Sequence, residues 1–162
     1  MRQTIERIEK SLDGEMARDV ALLALRAVLA AVFVFHGGQK LFGWFGGYGL
    51  EGTAGWMGGL GIPFPTLSAA LAGGTELFGG LALAAGVFAR LVALPMIFTM
   101  IVAMATAHSG FDAAGGGIEY PLTLAIALAS IAIQGPGRLT LGRRPGGSGA
   151  DIAAASRVRG SA

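Results

Sequence analysis

With 162 residues, 53% of them hydrophobic and only 14% charged, the chain is far more apolar than a soluble domain, in which about 25% of residues are charged. A net charge of +2 is too small to point to nucleic acid, and the absence of cysteine excludes disulfides, CxxC redox chemistry, iron–sulfur clusters and covalent c-type haem. The 28 glycines would suit a disordered chain, but long apolar runs cover most of the sequence and imply one membrane-embedded domain.

Residues 1–19 form an amphipathic N-terminal segment, with Ile5, Ile8, Leu12 and Met16 at helical spacing. That pattern predicts a short helix lying on the membrane surface or packed on the bundle. Its acidic residues Glu6, Glu9, Asp13, Glu15 and Asp19, and the length of the apolar window behind them, argue against a cleavable signal peptide. The first apolar window, 20–42, is interrupted by Arg26 and by His36-Gly37-Gly38-Gln39-Lys40. The following segment alternates glycines with Trp44, Phe45, Tyr48, Trp56 and Met57, side chains that favour the headgroup layer. It predicts a lid of loop and short helix on the outer face. Its GxG pairs do not indicate a dinucleotide site, because no βαβ context surrounds them.

The second window, 64–88, carries Glu76. The third, 91–107, follows after only Ala89-Arg90, so the two windows form a tight antiparallel helical hairpin. Pro95 reads as a first-turn proline. The fourth window, 120–133, is shorter than the roughly 20 residues a span needs and implies local thinning of the bilayer or recruited flanking residues. Residues 20–141 thus read as an all-α bundle of four transmembrane helices, since such windows cannot close a barrel. Residues 142–162, opening with Pro145 and Gly146-Gly147-Ser148-Gly149, read as a flexible cytoplasmic tail.

Basic residues set the orientation. Arg2, Arg7, Lys10 and Arg18 precede the first span, Arg90 separates the second and third, and Arg138, Arg143, Arg144, Arg157 and Arg159 follow the fourth. The two opposite loops hold only Lys40 at one edge, with Glu51, Asp112 and Glu119. Positive-inside asymmetry then predicts a multi-pass protein of a bacterial or archaeal plasma membrane with both termini cytoplasmic.

A carboxylate at mid-membrane depth costs about 2.5–3.5 kcal/mol on insertion scales, so Glu76 needs a partner, a proton or a water-filled cavity. Side chains lean toward the N-terminus of their helix. The second span runs inward, so Glu76 leans outward, while His36, Gln39 and Lys40 share one face of the first helix and lean toward it. His108, at the end of the third helix, leans the same way. Arg26 lies about 9 Å past Val20 and is expected to snorkel to the inner headgroups, with a buried Arg26–Glu76 ion pair as the alternative. Gly73, Gly74, Gly79 and Gly80 around Glu76 predict close helix packing, not ligand space.

The stretches LRAVLAAVFVFHGGQKLFGWF (25–45), GLEGTAGWMGGLGIPFP (49–65), ELFGGLALAAGVFAR (76–90) and EYPLTLAIALASIAIQGPGRLTL (119–141) together resemble the DoxX family of small four-helix membrane proteins, in order and spacing. The resemblance covers most of 20–141 and leaves out the N-terminal segment and the tail. It implies a quinone-linked role or a place beside a redox partner, since the family name comes from a subunit linked to thiosulfate:quinone oxidoreduction. Proteins of the same general fold also act as assembly or cargo factors. The family's recurring polar positions match Arg26, His36, Lys40, Glu76, Arg90, His108, Glu119 and Tyr120.

Three functional classes follow. In the first, the chain is a quinone-linked oxidoreductase subunit, or the membrane anchor of a redox complex. Glu76 then relays protons, and His36, Lys40, His108, Glu119 and Tyr120 are binding candidates. Arg26 and Arg90 serve structure, and electrons come from a membrane partner protein or from the bound substrate. In the second, the chain is a non-catalytic assembly factor or small-molecule binder, and the same cluster is structural. The third, b-type haem between His36 and His108, is disfavoured because single histidines at helix ends are common. No metal cluster is expected, and lipid, a redox partner and a second copy of the chain are the expected associates.

Overall fold

The structure, a computed structural model, describes residues 14–141. The amphipathic helix expected over 1–19, apart from its last residues, and the tail expected over 142–162 lie outside the described residues, as do Arg2, Arg7, Arg143, Arg144, Arg157 and Arg159. Within the described residues there are five α-helices: α1 (Glu15–Phe42), α2 (Gly49–Gly59), α3 (Pro65–Ala85), α4 (Ala89–Thr106) and α5 (Glu119–Gln134). Single 3-10 turns at Trp44–Gly46 and Ala113–Gly115 complete the element order, and no strand occurs among the described residues.

Three of these helices, α1, α3 and α4, are long and apolar enough to cross a membrane. With 16 residues, α5 reaches only about 24 Å against a hydrocarbon core of about 30 Å. The shortness read from its sequence window is therefore real. α1, at 28 residues, extends about 42 Å and overshoots the same core. It begins at Glu15, five residues before the apolar window, because nothing between Glu15 and Val20 interrupts helical geometry.

Local chemistry ends each helix. Gly43 and Gly86 adopt the left-handed conformation just past α1 and α3, with φ of 72° and 73°. Behind Gly86, the Val87 N–H returns to the Ala82 carbonyl at 3.0 Å, which closes the last turn of α3. The α3–α4 reversal is thus Gly86–Val87–Phe88, and Arg90 belongs to the first turn of α4, one step beyond the expected break at Ala89-Arg90. Pro95 also departs from expectation. It lies inside α4, because that helix starts at Ala89 and not at Leu91.

α1 packs along α3, α4 packs along α5, and α2 folds back against α1 and α3. Lipid tails are as apolar as leucine, so close packing must hold such helices together. The α1–α3 seam meets that need with glycines. A Cβ on Gly37 would lie 2.5 Å from the Leu77 backbone nitrogen and 2.8 Å from the Gly73 carbonyl oxygen. One on Gly80 would lie 3.1 Å from the Ala30 carbonyl oxygen. One on Gly79 would meet Met96 of α4 at 2.6 Å. The expected packing role thus holds at Gly73, Gly79 and Gly80, whereas Gly74 faces open space. Beside the seam, Leu29, Phe33, Leu83, Met96, Leu128 and Ile131 form a fully buried apolar layer.

Substituting Gly37→Val should drive apart two backbones that touch, at a cost of at least about 1–3 kcal/mol. Gly74→Ala should be neutral. Thermal unfolding in detergent, followed by the monodisperse fraction, should show a clear loss for the first and none for the second.

Candidate functional site

Between the helices and beneath α2 lies a cavity of about 220 Å³. Its walls are mainly apolar, from Val32, Phe33, Met57, Met100 and Leu124. Its polar groups come from four different elements. α1 supplies His36 and Lys40, α3 supplies Glu76, the end of α4 leads into His108, and the first turn of α5 supplies Tyr120. Thr99 and Thr106 also line it, but their hydroxyls donate to the carbonyls of Pro95 and Val102 on their own helix.

Helical spacing explains the convergence. His36 and Lys40 stand four apart on α1, as Ala72 and Glu76 do on α3, so each pair presents one face to the same space. The Lys40 ammonium donates to Glu76 Oε2 at 2.6 Å. The two ends of this ion pair differ: the Glu76 side chain is 3% exposed and that of Lys40 is 23% exposed. Gly73 makes the approach sterically feasible, because a Cβ there would stand 3.2 Å from the Lys40 Cβ and 2.8 Å from the Leu41 side chain.

The histidines are held separately. The His36 ring meets Phe35 edge-on at 5.5 Å between centroids and lies 6.3 Å from the Tyr120 ring. His108 Nδ1 lies 2.9 Å from the Ala103 carbonyl oxygen. A carbonyl only accepts, so Nδ1 carries the proton and Nε2 is left to engage a ligand. Of the sequence-derived binding candidates, Glu119 alone stands outside the cavity. Its Oε2 accepts from the Ala113 N–H at 3.0 Å and pins the 3-10 turn before α5.

Arg26 does neither of the two things expected of it. It is fully buried, so it does not snorkel, and Glu76 pairs with Lys40 in its place. The guanidinium donates to the Leu83 carbonyl at 3.3 Å and to the Leu139 carbonyl, while Nε has no partner among the described residues. Arg90 is exposed and donates to the Gln134 carbonyl at 3.2 Å.

Trp56 and Met57, in the segment expected to form a lid, close the cavity from the α2 side together with Ile62. Other contributors escaped the sequence reading: the Thr53 hydroxyl donates to the Lys40 carbonyl at 3.3 Å, tying α2 to α1. At the far end, the Arg138 N–H donates to Asp19 Oδ1 at 2.9 Å, and its guanidinium pairs with Glu15 and Asp19. The Leu141 N–H adds a bond to the Ala85 carbonyl at 2.8 Å. One signal for the burial of Arg26 was present: it shares the stripe Asp19, Leu22, Leu29 and Phe33, spaced three or four apart on the core face of α1.

Comparison with known proteins places the chain. The DoxX family model matches residues 21–109, which takes in α1 to α4 and His108 but not α5. The chain is also 30% identical over 139 residues to "Inner membrane protein YphA" of Escherichia coli (strain K12), covering 82% of this chain and 95% of that protein. No solved structure matches the chain significantly.

Removing Lys40 leaves the Glu76 carboxylate buried without its partner, a defect of about 3–5 kcal/mol. Lys40→Met should therefore lower the melting temperature markedly, and Lys40→Met/Glu76→Gln should recover most of the loss. A lysine at position 26 has no planar fork with which to span two carbonyls. Arg26→Lys should destabilise the bundle in the same assay while leaving the Lys40–Glu76 coupling energy unchanged.

Proposed function

The chain belongs to the DoxX family, and from that premise and the cavity we propose that it is a quinone-linked subunit of a membrane oxidoreductase. The observation that carries the reading is the composition of the cavity: apolar walls around one Glu–Lys ion pair, two imidazoles and a phenol, among helices of which three are long and apolar enough to cross a membrane. Ligand sites of this type are mainly apolar, with a few polar groups that fix orientation. About 220 Å³ admits a substituted quinone ring but not its prenyl tail, which would extend into lipid.

When bound, a quinone supplies two-electron, two-proton chemistry, with the electrons exchanged with a redox partner protein in the same membrane. The protein's own residues do the rest. Phe33, Met57, Met100 and Leu124 would pack against the ring. His36 and Tyr120, on neighbouring helices with rings 6.3 Å apart, offer a donor at one ring carbonyl. His108 Nε2, an acceptor while Nδ1–H is bonded to Ala103, would take the hydroxyl that the other ring oxygen carries in the reduced state. Glu76 holds or releases a proton, and Lys40 steadies its charged form from 2.6 Å. With the arginines of the terminal end placed inside, the protein sits in the inner membrane, as the name of the YphA relative states for that protein, and both ends of the bundle's chain face the cytoplasm.

Organic extraction of the purified protein, followed by chromatography, should recover quinone. Tyr120→Phe/His36→Ala should lose it while the protein remains folded. Glu76→Gln keeps shape and an acceptor for Lys40, so it should insert normally and retain quinone but lose quinone-linked activity in the native membrane. Quinone-free wild-type protein, together with full activity of Glu76→Gln, would overturn the proposal. The cluster would then serve a non-catalytic assembly subunit.

A further inference from the structure

The Lys40–Glu76 pair stands between two separate spaces. On one side is the cavity. On the other is an open groove of about 340 Å³ lined by Gln39, Tyr48, Thr53 and the Gly46-Gly47 backbone. Lys40 and Trp56 line both spaces, whereas Glu76 lines only the cavity. The exposures of 23% for the Lys40 side chain and 3% for that of Glu76 agree with that division: the lysine side chain meets the groove, and the glutamate does not.

The opposite end of the cavity is closed. Beyond Phe33 and Leu124 come Leu29, Leu83, Met96 and Leu128, all buried and all apolar. Water in such a layer would need two to four polar partners that these side chains lack. Past the layer, Arg26 is bound to backbone carbonyls. The groove at the terminal end, around Asp19, Arg90 and Arg138, shares no residue with the cavity.

We propose that Lys40 gates a one-sided aqueous path, by which water and protons reach Glu76 and the cavity from the α2 end of the bundle and not from the end that carries Asp19 and Arg138. The proton traffic rests on the reading of the cavity as a site whose ligand gains and loses protons. The sidedness rests on geometry alone. Inward transfer moves one proton from Lys40 Nζ to Glu76 Oε2, leaving a neutral amine and a carboxylic acid, and the amine takes up a replacement proton from water in the groove. Outward transfer reverses both steps. The flexible four-carbon stem of lysine lets the ammonium turn between groove and carboxylate. Thr53, bonded to the Lys40 carbonyl at 3.3 Å, fixes the backbone from which the stem swings.

The chain has no cysteine, so a single introduced thiol reports its own position. Ala72→Cys lines the cavity one turn from Glu76, and Leu29→Cys lies in the apolar layer. In sealed membrane vesicles of each orientation, a membrane-impermeant methanethiosulfonate should label Ala72→Cys only when the α2 end faces the reagent. Leu29→Cys should stay unlabelled from both faces. Adding Lys40→Ala should raise the Ala72→Cys rate by about tenfold, equivalent to about 1.4 kcal/mol of gating. Lys40→Arg, which keeps the charge and is bulkier, should slow it. Labelling of Ala72→Cys from the terminal end, labelling by lipid-soluble maleimide alone, or a rate indifferent to both Lys40 variants would overturn the proposal. If neither Lys40 variant accumulates, the wild-type gate with Ala72→Cys still decides the sidedness. Loss of the quinone reading would leave these rates unchanged, and symmetric labelling would leave quinone extraction unchanged.

Discussion

A carboxylate closed off from water governs how the α2 half of this bundle is built. Glu76 is 2% exposed and lies on a helix flanked by lipid, so its charged form persists only with a cation at contact distance. Lys40 supplies it from α1, and that single requirement propagates outward. α1 and α3 must approach closely enough for a 2.6 Å contact, and Gly37 and Gly73 provide the clearance. α1 must stop soon after Lys40, and Gly43 turns the chain there with φ of 72°. The chain then folds over the pair, where Thr53, Ala54 and Met57 of α2 are buried against α1 and α3.

The other end meets the same constraint by different means. Among the described residues Arg26 has no carboxylate partner, and its two terminal nitrogens donate to main-chain oxygens instead. The Leu83 carbonyl belongs to the last turn of α3, where it also accepts from the Gly86 N–H at 3.1 Å and where the helix dipole is negative. The Leu139 carbonyl is present only because the chain after α5 passes beneath the bundle. That segment is itself fastened by Asp19 to the Arg138 N–H and by Leu141 to Ala85. Arg26 is thus the point at which the beginning of α1, the end of α3 and the stretch after α5 are held to one another. A guanidinium suits the task because it donates in several directions within one plane.

The sequence made the helices legible because membrane spans announce themselves by length and hydropathy. The convergence of His36, Lys40, Glu76 and His108 was legible too, because helix direction and spacing fix which way each side chain leans. Arg26 was misjudged for an instructive reason. Its depth, only about 9 Å from the expected start of the span, made snorkelling look inexpensive. α1 in fact begins at Glu15, and Arg26 sits on the core stripe with Leu22 and Leu29. The carbonyl it uses at Leu139 lies 113 residues away, beyond any local pattern. Glu119 was misplaced because a carboxylate at a helix start serves equally well as a ligand or a loop clamp, and only the position of the Ala113 N–H decides. The hairpin turn shifted because Gly86, not the charge at Arg90, is the residue able to leave the helix.

The two ends therefore differ in kind, and the difference bears on function. At the terminal end the buried charge is bonded to backbone carbonyls and separated from the cavity by Leu29, Leu83, Met96 and Leu128. At the α2 end the buried charge is held by a flexible side chain that also touches an open groove. The second arrangement can change partners without unfolding the bundle, since the Lys40 side chain also lines the open groove, whereas the Arg26 guanidinium is bonded to two backbone carbonyls of the folded chain. Rigidity thus belongs to the arginine end and exchange to the lysine end. The cavity lies on the exchange side of the apolar layer, so whatever it binds is in contact with the part of the fold able to alter its charge.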